Sequence, residues 1–122
     1  MISTDKNKEN IIDLLNSLNI EYKIEDYNFK EKNIEIKFIL SKKDKDFILD
    51  FYNENKDIYT EKTEQTEKDL KEIKDIYVMF SSENMYFGKT EHDYTAVNIA
   101  SLYLIEIYLD KIQEDIFYYL NN

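Results

Sequence analysis

The chain contains two carboxylates and a lysine of the kinds that together can cleave a phosphodiester bond: Asp26, Glu35 and Lys37. Glu35-Ile36-Lys37 lies on a predicted strand, Asp26 precedes it, and Glu9 lies on the helix before them. Two carboxylates and a lysine that converge on Mg²⁺ can activate water for hydrolysis. The pattern therefore predicts, as one alternative, a Mg-dependent nuclease that uses Asp26, Glu35 and Lys37.

This arrangement resembles the core of the PD-(D/E)xK nuclease superfamily over the segment from Glu9 to Lys37. The resemblance implies a metal-dependent nuclease, but the chain lacks the proline of that motif and a basic DNA-binding surface. Glu21-Tyr22-Lys23 supplies a second Glu-x-Lys in a chain rich in both residues. Glu35 and Lys37 therefore also fit the solvated face of an amphipathic strand.

The charge of the chain favours a protein partner. There are 26 acidic residues against 16 basic ones, all lysine, and residues 61–122 carry six lysines against thirteen acids. Without arginine there is no bidentate fork for phosphate or guanine. The net charge of −10 repels nucleic acid and anionic lipid and attracts basic proteins. We expect no direct nucleic-acid partner and no membrane partner; alternatively, the acidity only keeps the chain soluble.

Several kinds of site are excluded by residues that the chain lacks. It has no cysteine, one glycine and one histidine, which excludes thiolate zinc sites, glycine-rich phosphate loops and His-pair metal sites. Acidic pairs such as Asp44/Asp46 and Glu114/Asp115 fit helix first turns, where the dipole favours carboxylates. We predict no cofactor, no metal site and no catalytic residue, hence not an enzyme.

The start of the chain and its apolar segments predict a cytoplasmic protein. Met1 leads into polar sequence without a signal-peptide pattern. The apolar stretch Ala96 to Leu109 is shorter than the roughly 20 residues that a membrane span needs.

Hydrophobic periodicity predicts a single α+β domain over residues 1–122. We expect an N-terminal helix, a four-stranded antiparallel sheet of two hairpins with an intervening helix, and a long C-terminal helix packed on the sheet. Ser41 and Asp44 fit a capping box at the intervening helix. Residues 26–33 read as a turn and 60–68 as an exposed loop, after which Thr66 and Asp69 cap a short helix.

The C-terminal helix is apolar nearly all round from Ala96 to Leu109, which is typical of a buried helix. Beyond it, the apolar residues from Ile112 onward lie on nearly the opposite face. Either the helix bends near Asp110, or its halves pack against different surfaces. The second surface is the first helix or another copy of the chain, which would make a homodimer.

The segment before this helix contains the unique glycine and histidine. Gly88 is expected to end or bend the fourth strand, through a positive φ or through close packing. Thr90 and Asp93 match a helix start signal. We expect His92 to be neutral and largely exposed.

Acidity and abundant tyrosine together predict a non-catalytic inhibitor that binds a protein with a basic, nucleic-acid-binding surface. Such partners include a nuclease or a CRISPR effector. A phage anti-defence or anti-CRISPR protein, or a toxin-immunity protein, would fit. The amino-acid composition resembles that of an A+T-rich coding sequence, which fits a phage or low-GC bacterium. The alternative is an acidic dimeric chaperone or adaptor. The candidate contacts are Tyr77, Glu83, Tyr86, Glu91, Asp93, Tyr94, Glu106, Asp110, Glu114 and Asp115.

Overall fold

The computed structural model describes residues 4–58, 64–88, 92 and 94–122. Over these residues, five α-helices and four strands occur in an order that confirms the predicted α+β class. They are α1 (Thr4–Asn16), β1 (Glu21–Asn28), β2 (Asn33–Ile39), α2 (Lys42–Glu54), α3 (Glu64–Glu72), β3 (Asp75–Ser81), β4 (Asn84–Phe87), α4 (Tyr94–Ile107) and α5 (Gln113–Asn121). Short 3-10 turns follow α2 at Lys56–Ile58 and α4 at Leu109–Lys111.

The four strands form one antiparallel sheet in the order β1-β2-β3-β4. β1 with β2, and β3 with β4, are the two predicted hairpins, and α2 and α3 lie between them in the chain. Because antiparallel neighbours need only short turns, the second hairpin adds directly beside β2 by pairing β3 with it.

β1 is longer than the sequence predicted, and the predicted turn at 26–33 is wrong over its first three residues. A bulge between Ile24 and Asp26 shifts the register of β1 against β2. An extra residue in one strand interrupts the alternation of period two. Tyr27 thereby returns to the face of Ile24, opposite Ile34, and the strand continues to Asn28.

The core lies on one face of the sheet. Side chains alternate between the two faces of a strand, and only one face of β2 and β3 is buried. Each fully buried isoleucine there contributes about 1.5–3 kcal/mol relative to an exposed one. The buried residues of the two strands are Ile34, Ile36, Phe38, Ile76, Val78 and Phe80.

All five described helices contribute to this same hydrophobic cluster. The opposite face of the sheet therefore remains open, and Tyr77, Met79 and Tyr86 on it take no part in the cluster. An antiparallel sheet tolerates one solvated face because its outward residues alternate with the buried ones.

The predicted long C-terminal helix is two helices, with the break at the predicted bend near Asp110. α4 ends at Ile107, a 3-10 turn follows, and α5 begins at Gln113. α5 packs against α1 and β3, so the first helix is one surface that the second half contacts. No described helix is long and apolar enough to cross a bilayer.

α3 begins earlier than predicted, so the exposed loop predicted at 60–68 is wrong for residues 64–68. Residues 60–63 of that prediction lie outside the described residues. Thr66 is inside the helix and fully buried rather than capping it, and Asp69 is also buried. Because the buried positions Thr66 and Asp69 carry polar side chains, hydrophobic periodicity does not detect the start of this helix.

Candidate functional site

A groove between α2 and α4 is an exposed, largely apolar concavity with one wall on each helix. α2 begins at the predicted capping box: the N–H of Asp44 donates to Ser41 Oγ (3.1 Å), and the N–H of Ser41 donates to Asp44 Oδ2 (3.0 Å). Ile48 and Tyr52 on α2 face the core. Phe47 and Phe51, one turn apart on the neighbouring arc, are 55% and 42% exposed.

The second wall of the groove comes from α4. Ile99 is buried there, while Leu102 and Ile107 are 53% and 38% exposed. The groove encloses about 80 Å³. Its lining residues are Phe47, Ile48, Phe51, Ile99, Leu102, Tyr103, Glu106 and Ile107.

The side chain of Tyr103, called here the floor of the groove, is held in place by a buried carboxylate. Asp44 is 4% exposed, and its Oδ1 accepts hydrogen bonds from the hydroxyls of Tyr103 (2.5 Å) and Tyr108 (2.7 Å). Its Oδ2 accepts from the hydroxyl of Ser41 at 2.8 Å. The ring of Tyr103 in turn packs against Phe47, with centroids 5.4 Å apart. One carboxylate therefore connects the start of α2 to the end of α4.

The ionisation of this cluster follows from its geometry. Burial alone would raise the pKa of the Asp44 carboxyl, but the hydrogen bonds from Tyr103, Ser41 and Tyr108 stabilise the charged form and hold that pKa below its ordinary value. Burial, and then the bond to the Asp44 carboxylate, raises the pKa of the Tyr103 hydroxyl and of the Tyr108 hydroxyl. Asp44 is thus charged and both tyrosines are neutral donors around neutral pH.

Carboxylates flank the groove. Glu106 lines it directly, and Asp50 and Glu54 are exposed on α2 at the helical spacing that places them beside Phe47 and Phe51. On α2, Lys43 lies one turn before Phe47 and is the nearest base by helical spacing. The groove is therefore apolar at its centre and mainly acidic at its rim.

The size of the groove decides what it can hold. Its volume of about 80 Å³ is well below the roughly 150 Å³ of a cavity that holds benzene, and below the roughly 300–1,000 Å³ of small-molecule sites. It suits one aliphatic side chain of a larger partner. None of its lining residues is a cysteine, serine or histidine that could act as a nucleophile or base.

The acidic residues predicted as partner contacts occupy several places. Glu106 is in the groove, and Asp110, Glu114 and Asp115 follow it, exposed, on the 3-10 turn and the first turn of α5. Glu83 is exposed in the turn between β3 and β4. The other two predicted acidic contacts, Glu91 and Asp93, lie outside the described residues, as does the predicted helix start at Thr90.

The three predicted tyrosines lie away from the groove lining. Tyr77 and Tyr86 share the open face of the sheet: Tyr86 is the cross-strand partner of Met79, and Met79 is on the face of Tyr77. Tyr86 is 50% exposed, and Tyr94 is exposed at the start of α4. The eight predicted contacts that lie among the described residues therefore do not form one surface, and Glu106 is the one of these eight that joins the groove.

Gly88 explains how Tyr77 is held on the open face. The N–H of Gly88 donates to the carbonyl of Tyr77 at 2.8 Å. A Cβ on Gly88 would lie 2.8 Å from the Cβ of Tyr77. Its φ is not positive, so the close-packing alternative of the prediction is confirmed and the positive-φ alternative is wrong.

Asp26, Glu35 and Lys37 of the nuclease alternative share the open face of the sheet, but Glu9 does not. Asp26 and Glu35 are cross-strand partners, but Lys37 pairs with Glu25, with Nζ and Oε1 3.7 Å apart. Glu9 is on α1, which packs on the other face of the sheet. In the described part of the chain, no group of three or more histidine, cysteine or acidic residues could hold a metal ion.

His92 differs from its prediction in exposure. Its side chain is 28% exposed, and Nδ1 lies 3.7 Å from Oδ1 of the buried Asp69. Asp69 also accepts a hydrogen bond from the side-chain amide of Gln65 at 2.7 Å. The expectation of a largely exposed histidine is wrong, because His92 lies against the buried Asp69 of α3.

The groove residues Phe47, Phe51, Leu102 and Ile107 were missed as candidate contacts. Each is part of an apolar pattern that the sequence reading assigned to a helix face. The sequence signal that could have revealed part of this set is the wide apolar surface of α4, whose apolar residues span more of the helix circumference than one core contact can cover. The residues left over on that arc are Leu102 and Ile107.

A scan against protein-family models gives no match, and searches of curated proteins and of solved structures find no significant match either.

Proposed function

We propose that the protein is a non-catalytic inhibitor that binds and neutralises a partner with a basic, nucleic-acid-binding surface. The observation that carries this proposal is the acidic rim around an exposed apolar groove: Glu106 lines it, and Asp50 and Glu54 lie beside it. An apolar centre with charges at the rim is the usual anatomy of a protein interface. The net charge of −10 attracts a basic partner from a distance.

The proposed mechanism is competition for the partner's phosphate-binding cleft. Carboxylates on the helical side occupy the position of phosphates, while the apolar centre supplies contacts that nucleic acid does not make. Asp110, Glu114 and Asp115 extend the negative surface beyond the groove. Such a mechanism suits a phage anti-defence or anti-CRISPR protein, or an immunity protein that blocks a nuclease toxin. It assigns the protein to the cytoplasm, and a chain without cysteine fits a reducing compartment.

The test is capture of the partner from a lysate of the source cells, followed by an activity assay. We expect the captured protein to bind or cleave nucleic acid and to lose that activity when the inhibitor is added. Added salt should weaken the complex because the steering charges are screened. A triple variant Glu106→Gln, Asp110→Asn, Glu114→Gln keeps side-chain shape and should weaken inhibition. Full inhibition by this variant, or a complex indifferent to salt, contradicts the charge-based mechanism.

A second function, an acidic dimeric chaperone or adaptor, is favoured by the same exposed apolar residues. It requires a dimer whose grooves together hold an unfolded segment. The mass in solution separates the two functions: a monomer that inhibits a folded nuclease supports the inhibitor. A stable dimer that suppresses aggregation of an unrelated unfolded protein supports the chaperone.

A further inference from the structure

We propose that the α2–α4 groove is the docking site for one amphipathic helical segment of the partner, which inserts an aliphatic side chain between Phe47 and Leu102 and places lysine or arginine against the acidic rim. This inference rests on the proposed function and adds the site, the anchor and the chemistry of the bound segment. The acidic rim is formed by Glu106, Asp50 and Glu54.

The groove has the geometry of helix-in-groove recognition. Phe47 and Phe51 form one wall, and Leu102 and Ile107 form the other; all four are large and at least one-third exposed. An amphipathic helix offers anchors at the i, i+3, i+4 and i+7 spacing, which follow a groove between two helices. Because the groove encloses about 80 Å³, it accepts one buried anchor, with other apolar side chains covering the rims.

The floor is rigid before the partner arrives. Tyr103 is held by its hydrogen bond to Asp44 and by its ring contact with Phe47. Tyr108 donates to the same carboxylate oxygen. Since α2 and α4 are connected by these bonds, little conformational entropy is lost when a partner binds, and preorganisation of this kind raises affinity.

Charge complementarity selects a basic segment over a second copy of this chain. In a twofold dimer through the groove, the same patch meets itself, so Glu106 and its neighbours Asp50 and Glu54 would approach their own copies. Like charges brought together at an interface disfavour association. A helix with lysine or arginine beside its apolar face meets opposite charges instead.

The experiment uses a fluorescent synthetic helix with leucines at i, i+3, i+4 and i+7 and lysines flanking them, titrated with the full-length protein. A matched peptide carries glutamate in place of each lysine. We expect the basic peptide to bind and the acidic peptide to bind at least about tenfold more weakly, since flanking charges contact the rim.

The variant Leu102→Asp should weaken binding of the basic peptide by about tenfold or more, because it places a charge at the apolar anchor point. Leu102 is half exposed, so folding is retained, and a thermal melt checks this. The matched control is Tyr118→Asp, a similarly exposed helical position on α5 outside the groove lining, which should bind like the wild type. Glu106→Lys supplies a second groove variant and should weaken the basic peptide and strengthen the acidic one.

Four outcomes overturn the inference: no binding of the basic peptide by the wild type, unchanged binding by Leu102→Asp, equal binding of both peptides, or a dimer that Leu102→Asp dissociates. Failure here is separable from failure of the proposed function. If Leu102→Asp still inhibits a captured basic partner fully, the inhibitor stands and the groove is not its contact. If the groove binds the peptide but no nucleic-acid activity is inhibited, the groove stands and the inhibitor function does not.

Discussion

The α2–α4 groove and the open face of the sheet both expose large apolar side chains, but they differ in charge and in support. The groove combines phenylalanine, leucine and isoleucine with a mainly acidic rim, and Asp44 fixes its floor. The sheet face carries Tyr77, Met79 and Tyr86 among charges of both signs, including the Lys37–Glu25 ion pair. The two surfaces therefore differ in the charges that lie beside their apolar side chains.

Charged residues border the apolar side chains on the open face of the sheet. Glu35 and Lys37 on β2 are the cross-strand partners of Met79 and Tyr77, so charges limit the apolar group of Tyr77, Met79 and Tyr86 on that side. The edge strand β1 carries a bulge and alternating Lys and Glu residues, and both features protect an edge against pairing with another chain.

The largest expected effect comes from removing the support of the groove. Asp44→Ala leaves the hydroxyls of Tyr103 and Tyr108 without their acceptor and removes the half of the α2 capping box that the carboxylate supplies. We expect the free energy of unfolding to fall by about 3 kcal/mol, from the unpaired donors and the weakened capping box together. Urea denaturation measures this value.

The control for Asp44→Ala is Asp46→Ala, an exposed acid two residues along the same helix. It should change the free energy of unfolding by less than about 0.5 kcal/mol. A loss of stability as small for Asp44→Ala as for Asp46→Ala would show that the carboxylate does not hold the two helices together.

On the sheet face, the most sensitive position is Gly88. In Gly88→Ala the new Cβ would lie 2.8 Å from Cβ of Tyr77, so β3 and β4 must separate. Overpacking of this kind costs about 1–3 kcal/mol, measured by denaturation. Because the contact is with Cβ, Tyr77→Ala should not relieve the cost, whereas Tyr77→Gly should. Equal costs of Gly88→Ala in all three backgrounds would contradict the assigned contact.

A buried polar side chain on α1, outside both regions, differs from Asp44 in its pairing. Asp44 is fully hydrogen-bonded, whereas Asn7, on the buried face of α1, is fully buried with no hydrogen-bond partner for its side chain among the described residues. Asn7→Leu replaces that amide with an apolar group of similar size. We expect a gain in the free energy of unfolding of about 1 kcal/mol. Asn10→Leu, partly exposed on the same helix, is the control and should gain less.

The pH dependence of the groove should follow the sign of the Asp44 shift. The folded-state pKa of Asp44 lies below its ordinary value, so the unfolded chain takes up the proton first as pH falls. The stability that Asp44 contributes is full above about pH 4, the ordinary aspartate range, and is lost as pH falls through the folded-state pKa.

The measurable result is the difference between two acid denaturation curves. Asp44→Asn has no ionisable group at this position and therefore lacks this pH-dependent contribution. The difference in free energy of unfolding between the wild type and this variant should be constant near neutral pH and should become smaller below about pH 4. A gap that stays constant down to complete acid unfolding would show that the hydrogen bonds do not favour the charged form.

The sequence predicted most of the fold because most of the fold depends on local patterns. The alternation of apolar residues predicted β2 and β3, and Ser41 with Asp44 predicted the start of α2. The errors occur where a local pattern is broken. The bulge after Ile24 interrupts the alternation, so the predicted β1 ends too early, and buried polar residues such as Thr66 do not show the apolar spacing of a helix, so the predicted α3 starts too late.

The groove was beyond sequence reasoning for a different reason. Phe47 and Leu102 look like core residues in their own helices, and only the packing of α2 against α4 shows that they are left exposed. The partnership of Asp44 with Tyr103 and Tyr108 links residues far apart in the chain. By contrast, Glu106 was predicted as a contact from charge alone, and the structure places it in the groove lining.

The smallest expected effect concerns the ion pair on the sheet face. Lys37 and Glu25 are partly exposed, with Nζ and Oε1 3.7 Å apart, and such pairs contribute about 0–1 kcal/mol. Lys37→Ala should therefore lower the free energy of unfolding by less than about 1 kcal/mol, and a double-mutant cycle with Glu25→Ala should give a coupling that disappears in high salt. The same variant should leave peptide binding unchanged, since Lys37 lies on the sheet face and not in the groove. A coupling well above about 1 kcal/mol would contradict the description of the pair as solvent-screened, and a loss of peptide binding would mean that the two surfaces are linked through the sheet.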